Sequence, residues 1–328
     1  MGAASSREEG DGGDRPSRQR VTLGSRGSDL ARAQTRQVEE ALRAARPELQ
    51  IETKTIVTLG DEGSKSEPVD RRAGRKGLFT REIERALRAV EIDVAVHSAK
   101  DLPSDADATL EVRAALARAR IEDVLVTRQR VGFASLPGNA VVATGSVRRQ
   151  HQLRLAKPGL QIPDLRGNVP TRLRKLIASE WDGIVLARAG LDRLGFKTND
   201  GQIEFEGVKL FVESLARKEF LPAGGQGVIA LQVRAGDEAT KRIVDAVNHR
   251  ETLLCLRAER EFLRLLQGDC DSPVGVLATL NTGHLMQVRA LVFAPGETEP
   301  RTAETSGDVR ELTPEAIAAI LMEKLNGR

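Results

Sequence analysis

The chain has 328 residues, 40% hydrophobic and 30% charged, which is more than one compact core holds, so two or three globular domains are expected. No apolar run approaches the roughly 20 residues that span a bilayer, and no signal-peptide pattern opens the chain, so a cytoplasmic protein without a membrane partner is expected. The net charge is only +3, yet 11 of the 50 basic residues are Lys and the others are Arg. Genomic composition is one explanation; recognition of carboxylate or phosphate by the planar guanidinium fork is another. Tyr is absent and Trp181 is the single Trp, so the stacking platforms of RNA and single-strand binding are lacking and no nucleic-acid partner is expected.

Residues 1–19 are small, charged and Gly-rich, and are expected to form a disordered tail. Val21–Gly24 reads as a first strand. Ser28 is a helix N-cap, with Asp29 in the first turn and Leu30, Ala31, Val38 and Leu42 marking the apolar face. Arg26 therefore sits between a strand end and a helix start. Ile51–Val57 is a second strand. Residues 60–77 are polar and contain Gly, the pattern of a binding loop, and they end in Gly74-Arg-Lys76-Gly-Leu-Phe79. Leu78 to Val90 gives a helical stripe, and Ile92–Val96 is a short buried parallel strand.

That strand stops at His97-Ser98-Ala-Lys100-Asp101-Leu-Pro103. Taken alone, Lys100-Asp101 reads as a surface ion pair. In open α/β sheets, however, ligands sit beyond the carboxyl ends of strands. After Leu110–Ala115 and a connector comes Asp123–Thr127, then a βαβ series with strands at Ala140–Thr144, Leu160–Leu165 and Gly183–Ala187. Three successive strand ends in this series carry Arg: Arg148 and Arg149, then Arg166 with Arg172, then Arg188 and Arg193. Ser146 and Asn168 open helices whose N-termini offer backbone N–H groups to anions. Cations gathered in one crevice repel, so the pattern implies a ligand with several carboxylates or phosphates. No nucleotide-binding glycine motif follows a strand.

Phe220–Gly227 is a Gly-rich turn, and Val228–Val233 is a strand expected to return to the first sheet. The reading is α/β: two periplasmic-binding-protein-like α/β domains with a cleft between them and a mostly parallel sheet, plus a small α+β C-terminal domain. The expected boundaries are 20–116 with 228–245, 117–221, and 246–328. In the last, Val274–Leu280 and Met286–Phe293 are antiparallel strands and Pro314–Leu325 a closing helix. Cys255 lies in an apolar helix face and reads as a buried thiol. Cys270 lies in the turn Gly268-Asp-Cys-Asp-Ser-Pro273 and is expected to be exposed. Two cysteines make neither a disulfide framework nor a cysteine-rich zinc site, and no metal is expected.

The motifs Ser25-Arg-Gly-Ser-Asp-Leu-Ala31, Lys76-Gly-Leu-Phe79, Asp93–Pro103, Thr144-Gly-Ser-Val-Arg-Arg-Gln150, Leu165-Arg-Gly-Asn-Val-Pro-Thr-Arg172, Ala189-Gly-Leu-Asp-Arg193, Leu221-Pro-Ala-Gly-Gly-Gln-Gly227 and the Cys270 loop stand in an order that resembles the porphobilinogen deaminase (hydroxymethylbilane synthase) family. The resemblance implies a three-domain transferase of the tetrapyrrole pathway. It implies head-to-tail condensation of four porphobilinogens, each losing ammonia, on a dipyrromethane cofactor held by Cys270 as a thioether. Loss of ammonia leaves an electrophilic azafulvene, and the family's catalytic aspartate corresponds to Asp101. Arg26, Ser28, Lys100, Thr144, Ser146, Arg148, Arg149, Arg166, Arg172 and Arg193 match positions that bind the carboxylates of the cofactor or substrate. Lys76 matches the basic end of a loop over the cleft, and Gln226 falls in the matched Gly-rich turn. His97 carries no assigned role and is expected to be a hydrogen-bonded packing residue. One departure is Gly268-Asp269-Cys270, where the family usually has Gly-Gly-Cys. A monomer is expected. A non-catalytic carboxylate-binding protein and a cysteine hydrolase are the competing classes; the former has no need of Asp101 or Cys270, and the latter lacks a base near Cys270 in sequence.

Overall fold

The computed structural model describes residues 19–58, 80–105, 107–198, 200–267, 273–294 and 296–327. The tail before residue 19, the 60–77 loop with Lys76 (bar none of its residues), and the Asp269-Cys270 turn lie outside them. Three sheets carry the fold.

The first sheet has the order β2-β1-β3-β10-β4, built from β1 (Arg20–Arg26), β2 (Gln50–Ile56), β3 (Val94–Ser98), β4 (Leu110–Ala115) and β10 (Ile229–Arg234). β1 pairs in parallel with β2 and with β3, whereas β10 runs antiparallel to β3 and β4, with Ile229 opposite Ser98. Helix α1 (Asp29–Ala45) starts as its sequence dictates: the Ser28 side chain accepts from the Ala31 N–H, and Val38 and Leu42 face inward. With Leu23, Val96 and Leu231 they form one core. Helix α2 (Arg81–Arg88) sets Ile83 and Leu87 against Ile92 and Ala95.

The second sheet has the order β6-β7-β5-β9-β8: β5 (Asp123–Thr127), β6 (Val142–Ala143), β7 (Gly183–Ala187), β8 (Gln202–Phe205) and β9 (Val208–Ser214). Here too one strand runs against both of its neighbours, β5 being antiparallel to β7 and β9 while β6 and β7 are parallel. Both sheets are therefore mixed, not mostly parallel as expected. Helix α3 (Val147–Ala156), α4 (Val169–Ile177) and α5 (Arg188–Arg193) join these strands.

The expected strand Leu160–Leu165 is absent. Only a parallel bridge from Gln161 to Val141 forms, because Pro163 has no N–H to continue the ladder. The β8–β9 hairpin carries its turn on Glu206 and Gly207, both at positive φ as a two-residue primed turn requires, but Glu-Gly is not the usual signal for one.

The third sheet, β11 (Val274–Leu280), β12 (Leu285–Val292) and β13 (Arg301–Asp308), is antiparallel. It packs on α7 (Arg250–Leu265) and α8 (Pro314–Leu325) through Phe262, Val276, Val288, Ile317 and Leu321. β13 is a polar edge strand with few inward residues, which hid it from the hydrophobic pattern. The remaining helix, α6 (Glu238–Asp245), follows β10. Among the described residues no helix is long and apolar enough to cross a membrane.

Chain direction places the site. β5 and β10 are the strands that enter each sheet after the chain crosses over, and both run antiparallel to their parallel neighbours. Their first residues, Asp123 and Ile229, consequently lie beside the carboxyl ends of β7 and β3. The two crossings also bond to each other: the Ala119 N–H donates to Gly227 O (3.0 Å), Arg118 Nε to Gln226 O (2.9 Å) and Gln226 Nε2 to Ile121 O (2.7 Å).

Candidate active site

β1 and β3 end side by side, and a small cavity of about 60 Å³ opens between their ends. Arg26, Ser28, Gln34, His97, Ser98 and Asp101 line it. Asp101 closes a single 3-10 turn, Ala99–Asp101, pinned at its start by the Ala99 N–H donating to Val228 O (3.0 Å). The Asp101 side chain is half-buried, and among the described residues no hydrogen bond or ion pair engages its carboxylate. Ser98 Oγ and the Gln34 carboxamide hold each other at 2.8 and 3.1 Å. His97 is buried with Nε2 3.0 Å from Gln232 Oε1; burial pushes its pKa down to about 4, against the pull of that hydrogen bond, so the ring is neutral.

Lys100, on the same turn, is acted on by charges carried by the second sheet and its helices. Burial pushes its pKa down to about 8; Arg149 and Arg172 lower it further, and Asp101 and Asp123 oppose the shift. Lys100, of the first sheet's turn, therefore feels cations that project from α3 and α4. Of the cations expected at the strand ends, Arg149 and Arg172 thus act on Lys100.

They are not equivalent within it. Arg148 and Arg149 are 4% and 5% exposed and grip the fully buried Asp123: Arg148 Nη1 donates to Oδ2 and Arg149 Nη2 to Oδ1, each at 2.7 Å. Burial alone would raise the Asp123 carboxyl, but the two guanidinium groups hold it far below the usual carboxylate range. Arg148 also donates to Leu221 O and Arg149 to Val185 O. Gln226 Nε2 donates to Asp123 Oδ1 (2.9 Å). Thr144 is buried, and its Oγ1 accepts from the Ser146 N–H, while Ser146 at the N-cap of α3 makes no side-chain capping bond. Thus the polar groups described for Arg148, Arg149, Gln226 and Thr144 are engaged with the protein itself, where a ligand contact was expected.

Arg193 Nη2 reaches Gly227 O (2.7 Å), and burial pushes its pKa down to about 10. Arg172 Nε donates to Gly167 O, and the exposed Arg166 pairs with Asp164. Arg188, which carried no firm role, bonds Ser214 and Thr198 O. Cys255 is 6% exposed inside α7, and burial pushes its thiol up to about 12, so it is a poor nucleophile. Cys270 and Lys76 lie outside the described residues.

Three charged residues here escaped sequence reasoning. Asp123 is one. The others are Glu259 on α7, fully buried, and Arg118 in the first crossing, paired with it at 2.6 Å. Glu259 also accepts from the N–H groups of Gly225 (2.7 Å) and Ala278 (2.8 Å). The available signal was an acidic residue inside an apolar pattern: Asp123 opens a fully buried strand, and Glu259 lies on the helix face of Cys255, Leu256 and Phe262.

The family model "Porphobilinogen deaminase, dipyromethane cofactor binding domain" matches residues 21–242, and "Porphobilinogen deaminase, C-terminal domain" matches 253–327. The porphobilinogen deaminase of Syntrophomonas wolfei is 39% identical over 92% of this chain and 98% of its own. That of Thermus thermophilus is 40% identical over 89% and 91%. The chain belongs to the porphobilinogen deaminase family. Family membership makes it an enzyme, a hydroxymethylbilane-forming transferase of tetrapyrrole biosynthesis, with porphobilinogen as substrate and dipyrromethane as cofactor. The methionine-binding protein MetQ covers 70% of this chain at a TM-score of 0.41 and 14% identity, a distant likeness that adds nothing to the assignment.

Proposed function

We propose that Asp101 is the catalytic carboxylate of the deaminase reaction and that the crevice between the first two sheets holds the pyrrole chain by its carboxylates. The observation that carries this is the Asp101 carboxylate: it stands at a strand end in a half-dry cavity, beside Arg26 and near Lys100, and no described residue engages it. A carboxylate so placed stabilises positive charge at a ring nitrogen and takes or returns a proton there. Lys100, Arg26, Arg172 and Ser146 are the groups offered to ring acetates and propionates. Arg149 and Arg193 border the same space, and Arg148, Thr144 and Gln226 support it from behind. We assign Arg166 to the outer rim.

The donor set fits a dipyrromethane, because cations and hydroxyls converge where a pyrrole bearing two carboxylates needs them. When bound, that group supplies the pyrrole carbon to which the first substrate is joined. We infer that Cys270 anchors it, since Cys255 is buried in a helix and is the only other thiol. We also take the three sheets as three domains with the boundaries expected from sequence, and the protein as a cytoplasmic monomer acting on a small molecule, without a nucleic-acid partner.

Intact mass tests the reading. The purified protein should be heavier than its sequence by one dipyrromethane and turn pink with an acid aldehyde reagent, and a digest should place the added mass on the Cys270 peptide. A bare mass without colour, or the group on Cys255, would overturn it.

A further inference from the structure

Asp123 has no place among the groups that hold the pyrrole chain, yet more of the crevice's cations meet on it than on any other described carboxylate. It opens β5, directly after the first crossing, and its register with Ala187 sets it at the carboxyl end of β7. Arg148 and Arg149 reach it from the first turn of α3, and Gln226 reaches it from the second crossing. All four side chains are buried. The Nε atoms of both arginines and Oε1 of Gln226 have no partner among the described residues. One carboxylate therefore orients two guanidinium groups.

We propose that Asp123 is a positioning residue for the condensation: as the shared counterion of Arg148 and Arg149, it fixes the cationic wall that faces Lys100 and so sets how tightly the crevice holds the substrate's carboxylates. The inference rests on the reading of Lys100 and Arg149 as part of the carboxylate-holding wall. A merely structural ion cluster would give stability alone. Asp123 does more, because its charge reaches Lys100 across the crevice. Among the described residues, Asp101 and Asp123 favour its ammonium form, and Arg149 and Arg172 disfavour it. Neutralising Asp123 removes one of the two charges that favour the ammonium form, so Lys100 loses its proton at a lower pH.

The test is Asp123→Asn in the holoenzyme, with kcat and KM for porphobilinogen measured across pH. Asn keeps the shape and one acceptor oxygen but loses the charge. The expected result is a KM raised on the order of tenfold with kcat within about threefold, and an alkaline limb of kcat/KM displaced to lower pH by about half a unit. Wild-type KM and an unmoved limb would overturn the proposal, as would a change in thermal stability alone. Should the Asn variant not fold, Asp123→Glu takes its place, keeping the charge and moving it by one methylene. A raised KM with the limb retained supports the proposal, and a wild-type KM overturns it. Lys100→Met and Arg149→Leu run in parallel. If both keep wild-type KM, the underlying reading of the crevice fails; if they weaken binding while Asp123→Asn does not, only the role of Asp123 fails.

Discussion

The crevice holds two aspartates in opposite states. Asp101 ends a turn after β3, half-buried, with no described side chain on its carboxylate. Asp123 begins β5, fully buried, with two arginines and a glutamine on it. Each stands at the carboxyl-end edge of its sheet, and each has cations within reach. The difference lies in what meets the oxygens. A carboxylate with donors on both oxygens holds structure together; one left open in a partly dry cavity is available to a ligand. Net charge and position along a strand do not separate the two roles, but hydrogen-bond partners do.

Substitution at Asp101 tests that separation most sharply. Asp101→Asn should lower kcat on the order of a thousandfold while the intact mass still shows the cofactor. With no hydrogen bond among the described residues lost and only the charge beside Lys100 removed, unfolding in urea should shift by less than about 1 kcal/mol. A stability loss comparable to that of a buried, paired carboxylate would erase the contrast with Asp123, and near-normal turnover would remove Asp101 from the chemistry.

Glu259 belongs with Asp123. It accepts from Arg118, Gly225 and Ala278, and so ties α7 and the third sheet to both crossings. Removing it strands a largely buried guanidinium and two N–H groups. Glu259→Ala should cost about 3–5 kcal/mol in urea unfolding. If the comparison holds, whatever protein folds should show a normal pH profile of turnover, since Glu259 touches no group offered to substrate.

How far the sequence revealed all this differs by element. The α1 cap, β3 and the return of the chain through β10 were legible, since Ser28, a five-residue apolar run and a Gly-rich turn each carry a local signal. That Arg149 and Arg172 stand near Lys100 was legible too, because strand ends in α/β sheets share an edge. Strand direction was not: β5 and β10 are apolar runs, and nothing local says which way they point. Nor were the partners. Arg148 and Arg149 read as carboxylate clamps because the carboxylate they hold, Asp123, is more than twenty residues away, and pairing at that distance leaves no periodicity to read.

His97 sharpens the contrast from behind Asp101. Its pKa is lowered from 6.5 to about 4, chiefly by burial. The folded state therefore binds fewer protons than the unfolded chain across that window, so stability falls as pH drops from 6.5 toward 4, by up to roughly 3 kcal/mol. His97→Gln should lack this component. The measurement is the difference between wild-type and variant unfolding free energies at several pH values. Curves that stay parallel from pH 6.5 to 4 would mean that the wall behind Asp101 is wet.

Gly225 links the two aspartates. Its neighbour Gln226 bonds Asp123, while Gly225 itself lies against the turn that carries Asp101: a Cβ there would come within 2.9 Å of Ala99 C and Lys100 N. Its φ of +75° adds backbone strain for any side chain. Gly225→Ala must therefore push the Ala99–Asp101 turn or the loop, with backbone atoms on both sides of the contact. The expected cost is about 1–2 kcal/mol of stability and, if Asp101 has the proposed role, roughly a tenfold fall in kcat, because its carboxylate moves by a fraction of an ångström. The Asp123 clasp is held by side chains of α3 and by Gln226, not by Gly225, so KM for porphobilinogen should change less than kcat. A larger effect on KM would mean that the loop communicates with the cationic wall first and with Asp101 second.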